Sequence, residues 1–231
     1  MKKLILFLGF VIAFTNTLSS QNKEIDNLLN AFFKKNNPGG SVLVSKGDNI
    51  IYQKTFGKAN LSLNVHVNTN HIFELASVTK PITAIAILKL VNQGKLSLTD
   101  DFTKYLDDYP KTNKKITVEH LLTHTSGIYN YNDDMVTYMN TIQKRSYTQK
   151  EFINLFKDKP LNFSPGEKYG YNNSAYYLLG AIIEKVSGLT YYNFLKKHIF
   201  TPLGMKNTFL NNSTKIIPNL VSGYETDKTS F

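Results

Sequence analysis

Phe73-Glu74-Leu75-Ala76-Ser77-Val78-Thr79-Lys80-Pro81-Ile82-Thr83-Ala84-Ile85-Ala86-Ile87-Leu88 is the stretch on which the reading of this chain turns. From Thr79 to Gln93 it is apolar nearly all round, the pattern of a helix buried in a core. Pro81 suits only the first turn of that helix, where its missing N–H has no partner to lose, and Gly94 ends it. Ser77 therefore stands at the helix N-terminus, where unpaired N–H groups and the positive end of the dipole favour an oxyanion. Lys80, three residues on, lies over the same face. An apolar pocket there would desolvate its ammonium, and neutral Lys80 could then take the serine proton. The plainer alternative is that Ser77 is an N-cap and Lys80 a surface residue, and a bare S-x-x-K does not decide between them.

Working outward, residues 23–35 place Ile25, Leu28, Leu29, Phe32 and Phe33 on one face of an amphipathic helix, stopped by Asn36-Asn37-Pro38-Gly39-Gly40. Ser41 to Lys46 and Asn49 to Phe56 are β-branched or aromatic runs around Gly47-Asp48, an antiparallel hairpin. A lone hairpin leaves open strand edges, so the sheet looks short of strands. Between Lys95 and Phe163 short helices alternate with polar loops, one of them opened by the capping box Thr148-Gln149-Lys150-Glu151. Pro165-Gly166 is a turn. Asn173 to Val186 is a second apolar helix closed by Gly188, and Thr190 to Phe200 a shorter one closed by Pro202 and Gly204. Ahead of Asn173, Tyr171-Asn172-Asn173 brings a phenol, able to carry a proton, and a carboxamide, able to donate and accept at once, next to a helix start. An aromatic core residue beside an Asn cap is the structural alternative.

Composition narrows the chemistry. The 231 residues are 42% hydrophobic and 19% charged, enough apolar content to bury a core, and they include no cysteine. A disulfide framework, a thiolate metal site and a cysteine nucleophile are thereby excluded. The net charge is +10, almost all of it scattered lysine with Arg145 as the only arginine, which reads as a solvated basic surface. No clustered basic stripe with interleaved aromatics is present, so nucleic acid is not an expected partner; attraction to an anionic envelope polymer suits the surface better. Lys2 and Lys3, the apolar run Leu4 to Phe14 and the small polar residues Thr15 to Ser20 describe a cleavable secretory signal over residues 1–20, too short to span a bilayer comfortably, with an uncleaved N-terminal anchor as the alternative. The expected location is periplasmic or secreted, with no stable membrane span after cleavage.

Several ordered pieces now resemble one family, the serine β-lactamase-like hydrolases, which includes class C β-lactamases, D-alanyl-D-alanine carboxypeptidases and related esterases. They are Pro38-Gly39-Gly40-Ser41 with its hairpin; Phe73 to Lys80; Gly94-Lys95-Leu96-Ser97-Leu98-Thr99-Asp100; Leu121-Leu122-Thr123-His124-Thr125-Ser126-Gly127; Pro165-Gly166 through Tyr171-Asn172-Asn173 to Leu178-Leu179-Gly180; and Pro202-Leu203-Gly204-Met205. Each piece is weak alone, and their joint order is specific. The resemblance implies an α/β (α+β) fold of the β-lactamase/transpeptidase-like kind, an antiparallel sheet with flanking helices plus an all-helical subdomain, over residues 21–231. It implies Ser77 as acylated nucleophile, Lys80 as its proton partner, Tyr171 as the base or shuttle serving the leaving group, and Asn173 as binder of a substrate amide, with no cofactor and no metal. The substrate would be a small molecule or peptide: a β-lactam, a peptidoglycan D-Ala peptide or a small ester.

The departure from the family is a third motif, a Lys-or-His, Thr-or-Ser, Gly triplet on a late strand, which supplies an oxyanion donor and binds the substrate carboxylate. Lys228-Thr229-Ser230 lacks the glycine and lies in a polar tail. The expectation is a chain that stops early, with an incomplete sheet and little activity, since one lost oxyanion donor costs ~10²–10³ in rate. A non-catalytic binder of cell-wall peptides or an inactive remnant is the alternative. Other chemistries are disfavoured. His120 and His124 stand four apart on an expected helix, but Glu119 precedes the first instead of following it, as a His-Glu-x-x-His zinc site needs. No G-x-S-x-G occurs, and Glu167 beside the Pro-Gly turn reads as solvated surface.

Overall fold

The computed structural model describes residues 23–211 and 216–225. The signal-like residues 1–20 and the Lys228-Thr229-Ser230 triplet lie outside them. The chain divides into two units, the first running to Glu74 and resuming at Asn211, the second running from Leu75 to Leu210.

In the first unit, helix α1 (residues 23–32) precedes a hairpin of β1 (Gly40–Lys46) and β2 (Asn49–Phe56). The strands are antiparallel, paired from Gly40 with Phe56 to Lys46 with Asn49, as their alternation predicts. Tyr52 and Phe56 point inward; the Phe33 ring stacks on Phe56 with centroids 5.4 Å apart, and Tyr52 Oη donates to Asp26 Oδ1 at 2.6 Å. These contacts lay α1 on the hairpin. A second ladder, absent from the sequence reading, joins β3 (Lys58–Asn60) to β4 (Val65–His66). Its three- and two-residue strands are too short to carry a period. The aperiodic segment around Leu220 is held by the Ile72 N–H, which donates to Asn219 O at 2.8 Å, and by the Ser222 N–H, which donates to Ala59 O at 2.9 Å.

The second unit is helical. A 3₁₀ turn, Ala76–Val78, leads directly into α2 (Thr79–Asn92). Short helices α3 (Val118–Leu122), α4 (Met135–Asn140) and α5 (Gln149–Asn154) follow, then α6 (Asn173–Ser187) and α7 (Tyr191–Leu195), with a π-helical turn over Lys196–Phe200. The predicted single helix from Thr190 to Phe200 is thus interrupted: beyond Leu195 the bonding widens, and the Thr201 N–H donates to Lys196 O. The core lies between α2 and α6, with Ala86, Ile87 and Leu90 packed among Leu178, Leu179, Ile182 and Ile183, and with Leu121 of α3, Phe102, Phe156 and Phe194 around them. Burial of α2 is narrower than its composition suggests. Ile85 and Leu88 are about half exposed, because a 3.6-residue period puts only Thr83, Ala86, Ile87 and Leu90 on the core side. The Thr148–Glu151 capping box opens α5 as predicted, and α6 ends on Gly188 in the left-handed conformation that its C-terminus requires.

Candidate active site

Ser77 sits on the 3₁₀ turn ahead of α2, exposed to solvent, and neither that turn nor α2 has a side-chain cap bond at its N-terminus. The plain N-cap reading therefore fails. The preceding residue, Ala76, has φ +44, a conformation that costs a non-glycine residue of order 1–3 kcal/mol and that recurs where function holds the backbone.

Two groups converge on the Ser77 hydroxyl. Lys80 Nζ, one turn deeper on α2, donates to Oγ at 3.2 Å, and Tyr171 Oη, just ahead of α6, donates to it at 2.7 Å. Lys80 Nζ also donates to Asn173 Oδ1 at 2.7 Å and lies 4.6 Å from the centroid of the Tyr171 ring and 5.4 Å from that of Tyr176. All four residues singled out in the sequence thus meet at one place. The surroundings of Lys80 differ from the apolar pocket expected: Nζ is in contact with two oxygens and lies against two aromatic rings. Burial alone would push the Tyr171 phenol up, but hydrogen bonds with Lys80 and Ser77 and the lysine charge outweigh it and hold the phenol below its usual range.

The loop before α6 is positioned by residues that sequence reasoning missed as site components. The Asn172 N–H donates to His124 Nδ1 at 3.0 Å, and the Asn173 N–H donates to Asn130 Oδ1 at 2.9 Å. Asn173 Nδ2 donates to Asn132 Oδ1 at 3.1 Å, and Tyr176 Oη donates to Leu122 O at 3.0 Å. Asn172, not Asn173, caps α6, accepting from the Ala175 N–H. The run Tyr129-Asn130-Tyr131-Asn132 was the available signal: two carboxamides close after a glycine turn. His120 and His124 do not share a helix. Helix α3 ends at Leu122, and His124 lies beyond it at φ +60, while His120 Nδ1 accepts from the Thr117 N–H in a capping box. Burial, then the Lys80 charge, holds His124 below its ordinary pKa, which keeps Nδ1 free to accept. Among the described residues no group of three or more metal-binding side chains occurs. Glu167 is exposed and accepts from the Ser164 N–H across the Pro165-Gly166 turn.

Ser77 and Lys80 open onto a cleft of about 700 Å³ within the second unit, walled by Tyr131, Tyr138, Tyr176 and Tyr177. An exposed hydroxyl with an ammonium and a phenol in contact, at the mouth of such a cleft, has the parts needed for acyl transfer.

Comparison with known proteins agrees with that geometry. The chain is 33% identical over 207 residues to penicillin-binding protein 4* of Bacillus subtilis, an alignment covering 89% of this chain and 45% of that protein. It superposes on an octameric penicillin-binding protein homologue from Pyrococcus abyssi with a TM-score of 0.74 and 32% identity, covering 91% of this chain and 49% of the other. It also superposes on a β-lactamase/D-alanine carboxypeptidase from Yersinia pestis with a TM-score of 0.68 and 27% identity, covering 80% and 53%. The chain spans less than half the length of the curated relatives it matches. The model of the family described as Beta-lactamase matches residues 23–231, and with the fold and the Ser77 cluster in agreement, the chain belongs to the Beta-lactamase family of serine hydrolases.

Proposed function

We propose that the protein is an exported hydrolase that cleaves an amide or ester through an acyl-enzyme on Ser77. The observation carrying this reading is the convergence of Tyr171 Oη, at 2.7 Å, and Lys80 Nζ, at 3.2 Å, on one exposed hydroxyl oxygen. In the acylation step Ser77 Oγ bonds to the substrate carbonyl carbon, and its proton passes into the Tyr171–Lys80 pair. The Ser77 N–H, at the start of the helical segment, receives the developing oxyanion. Collapse breaks the C–N or C–O bond, and Tyr171 returns a proton to the leaving group. Water, deprotonated through the same pair, then attacks the ester and frees Ser77. Asn173 serves a substrate amide best through Nδ2, which would exchange Asn132 Oδ1 for the substrate carbonyl.

The substrates we propose are β-lactams, D-Ala-terminated peptidoglycan peptides or small esters. The names of the B. subtilis and Y. pestis relatives support the first two. The signal-like Lys2 to Phe14 supports a periplasmic or secreted location, where those substrates occur. The test is covalent labelling of the purified chain with a reactive penicillin or a fluorophosphonate, followed by mass spectrometry. Labelling confined to Ser77 and abolished by Ser77→Ala is expected. A folded chain that binds D-Ala peptides but takes up no label on Ser77 would favour a non-catalytic binder instead.

A further inference from the structure

The cleft does not stop at the Ser77 cluster. One face of α6 lines it from end to end: Asn173, Tyr176, Tyr177, Gly180 and Glu184 recur at helical spacing. Glu184 lies eleven residues past Asn173, which at 1.5 Å per residue puts it about 16 Å along the helix from the Ser77 end. Its carboxylate accepts from Gln149 Nε2 at 2.6 Å and from the Tyr191 N–H at 2.7 Å. Both donors are neutral, and among the described residues Glu184 takes part in no ion pair. A carboxylate with no direct ion pair therefore faces the far end of a cleft lined between it and Ser77 chiefly by tyrosines, with Thr83, Gly180 and Ala181. The lysines nearest it in the neighbouring groove, Lys150 and Lys185, are taken up by Asp108 and Asp107. Aromatic rings beside a carboxylate suit an ammonium rather than an anion or an alkyl chain. An extended peptide advances 3.3–3.6 Å per residue, so about 16 Å is the reach of roughly four to five residues.

We propose that this arm binds the amino-terminal ammonium of a peptide substrate, with Glu184 as its counter-ion, so that the protein prefers acyl chains bearing a free amine four to five residues before the scissile carbonyl. The inference rests on Ser77 being the acylated residue, and it names the substrate class of that same site. Glu184 acts here as a specificity residue, remote from the bond that breaks.

The experiment uses the full chain with Ser77→Ala, so that binding is read without chemistry. Calorimetry compares two pairs of peptides ending in D-Ala-D-Ala: a long pair with a free or acetylated amino terminus at the four- to five-residue reach, and a short pair with that terminus one residue from the scissile carbonyl. In the long pair the free amine is expected to bind about five- to tenfold more tightly, the scale of one partly solvated charge contact, and in the short pair equally. Adding Glu184→Gln, which keeps an oxygen for the Tyr191 N–H, is expected to erase the difference in the long pair. Equal affinities within the long pair, no measurable binding of either long peptide, or a preference that survives Glu184→Gln would overturn the proposal. Labelling of Ser77 together with equal affinities would sink this inference alone. An amine preference in a chain that takes no label would sink the hydrolase reading instead.

Discussion

A single oxygen, Ser77 Oγ, is touched by two groups that differ in what they contribute, and substitution separates them. Tyr171→Phe keeps the ring beside Lys80 and removes only the proton carrier 2.7 Å from the serine. The rate of Ser77 labelling is expected to fall by ~10²–10⁴, the usual worth of a positioned acid–base group, while the melting temperature barely moves, since Tyr171 is 45% exposed. Timed labelling and thermal melting on the same samples check this. His124 works at one remove, through the backbone of Asn172. Its folded pKa lies below the ordinary 6.5 because burial, then the Lys80 charge, disfavours the imidazolium. In the window between the folded value and 6.5 the unfolded chain binds the proton first. The stabilisation is therefore complete above about pH 6.5 and is lost as pH falls through that window toward the folded value. Melting temperature is expected to drop on acidification from pH 7.5 to 5.5, and the drop to shrink in His124→Gln. Part of the slope persists through His198, held low by burial and then by the neighbouring lysines. The serine, lysine, tyrosine and Asn173 were legible because each stands at the start of an apolar helix bounded by glycine. Asn130, Asn132 and Tyr176 were not, since they act across more than forty residues from loops, or from a helix rich in similar rings, where no spacing rule applies.

At the scale of elements, period decides what a sequence discloses. The hairpin and α6 emerge where alternation or a 3.6-residue repeat is bounded by glycine, whereas α2, apolar on every side, carries no moment to say which face is buried. Glycines carry much of the rest, and two of them, one in a loop and one inside α6, make opposite predictions. Gly127 has φ +73, and a Cβ there would stand 2.0 Å from the Phe163 carbonyl oxygen, a backbone atom that cannot turn aside. The same close approach lets the Asn162 N–H donate to Gly127 O at 2.7 Å, which ties the loop before α6 to the loop after α3. Gly127→Ala is expected to cost on the order of 2–4 kcal/mol in urea unfolding and to slow Ser77 labelling with it. Gly180 sits in mid-helix, where a Cβ would meet only the Tyr191 ring at 3.7 Å, an ordinary contact. Gly180→Ala is expected to stabilise the second unit by roughly 0.5–1 kcal/mol, the helix-propensity difference, read from the same denaturation midpoint.

For the molecule as a whole, charge is the property that sequence discloses most fully and structure localises least. Of a +10 total, the described residues engage only four lysines in ion pairs: Lys54, Lys104, Lys150 and Lys185. Others, such as Lys114, Lys159 and Lys168 around a groove of about 610 Å³, are exposed, with Glu167 as the carboxylate on that rim. Hydrated ammonium groups spread in this way attract a polyanion through their summed field, which decays over a Debye length of ~10 Å at 0.1 M salt. Binding to a phosphate-rich wall polymer is therefore expected to weaken at least tenfold as salt rises from about 20 to about 200 mM, where that length shortens several-fold. It is also expected to respond to the number of charges removed rather than to their address. Lys114→Gln, Lys159→Gln and Lys168→Gln combined should weaken retention on such a polymer no more than three neutralised lysines elsewhere on the surface. If the groove triple alone abolished retention while the distant triple left it intact, the field would be focused at one place. The lysines around Phe163 would then form a dedicated anion site and not a diffuse basic coat.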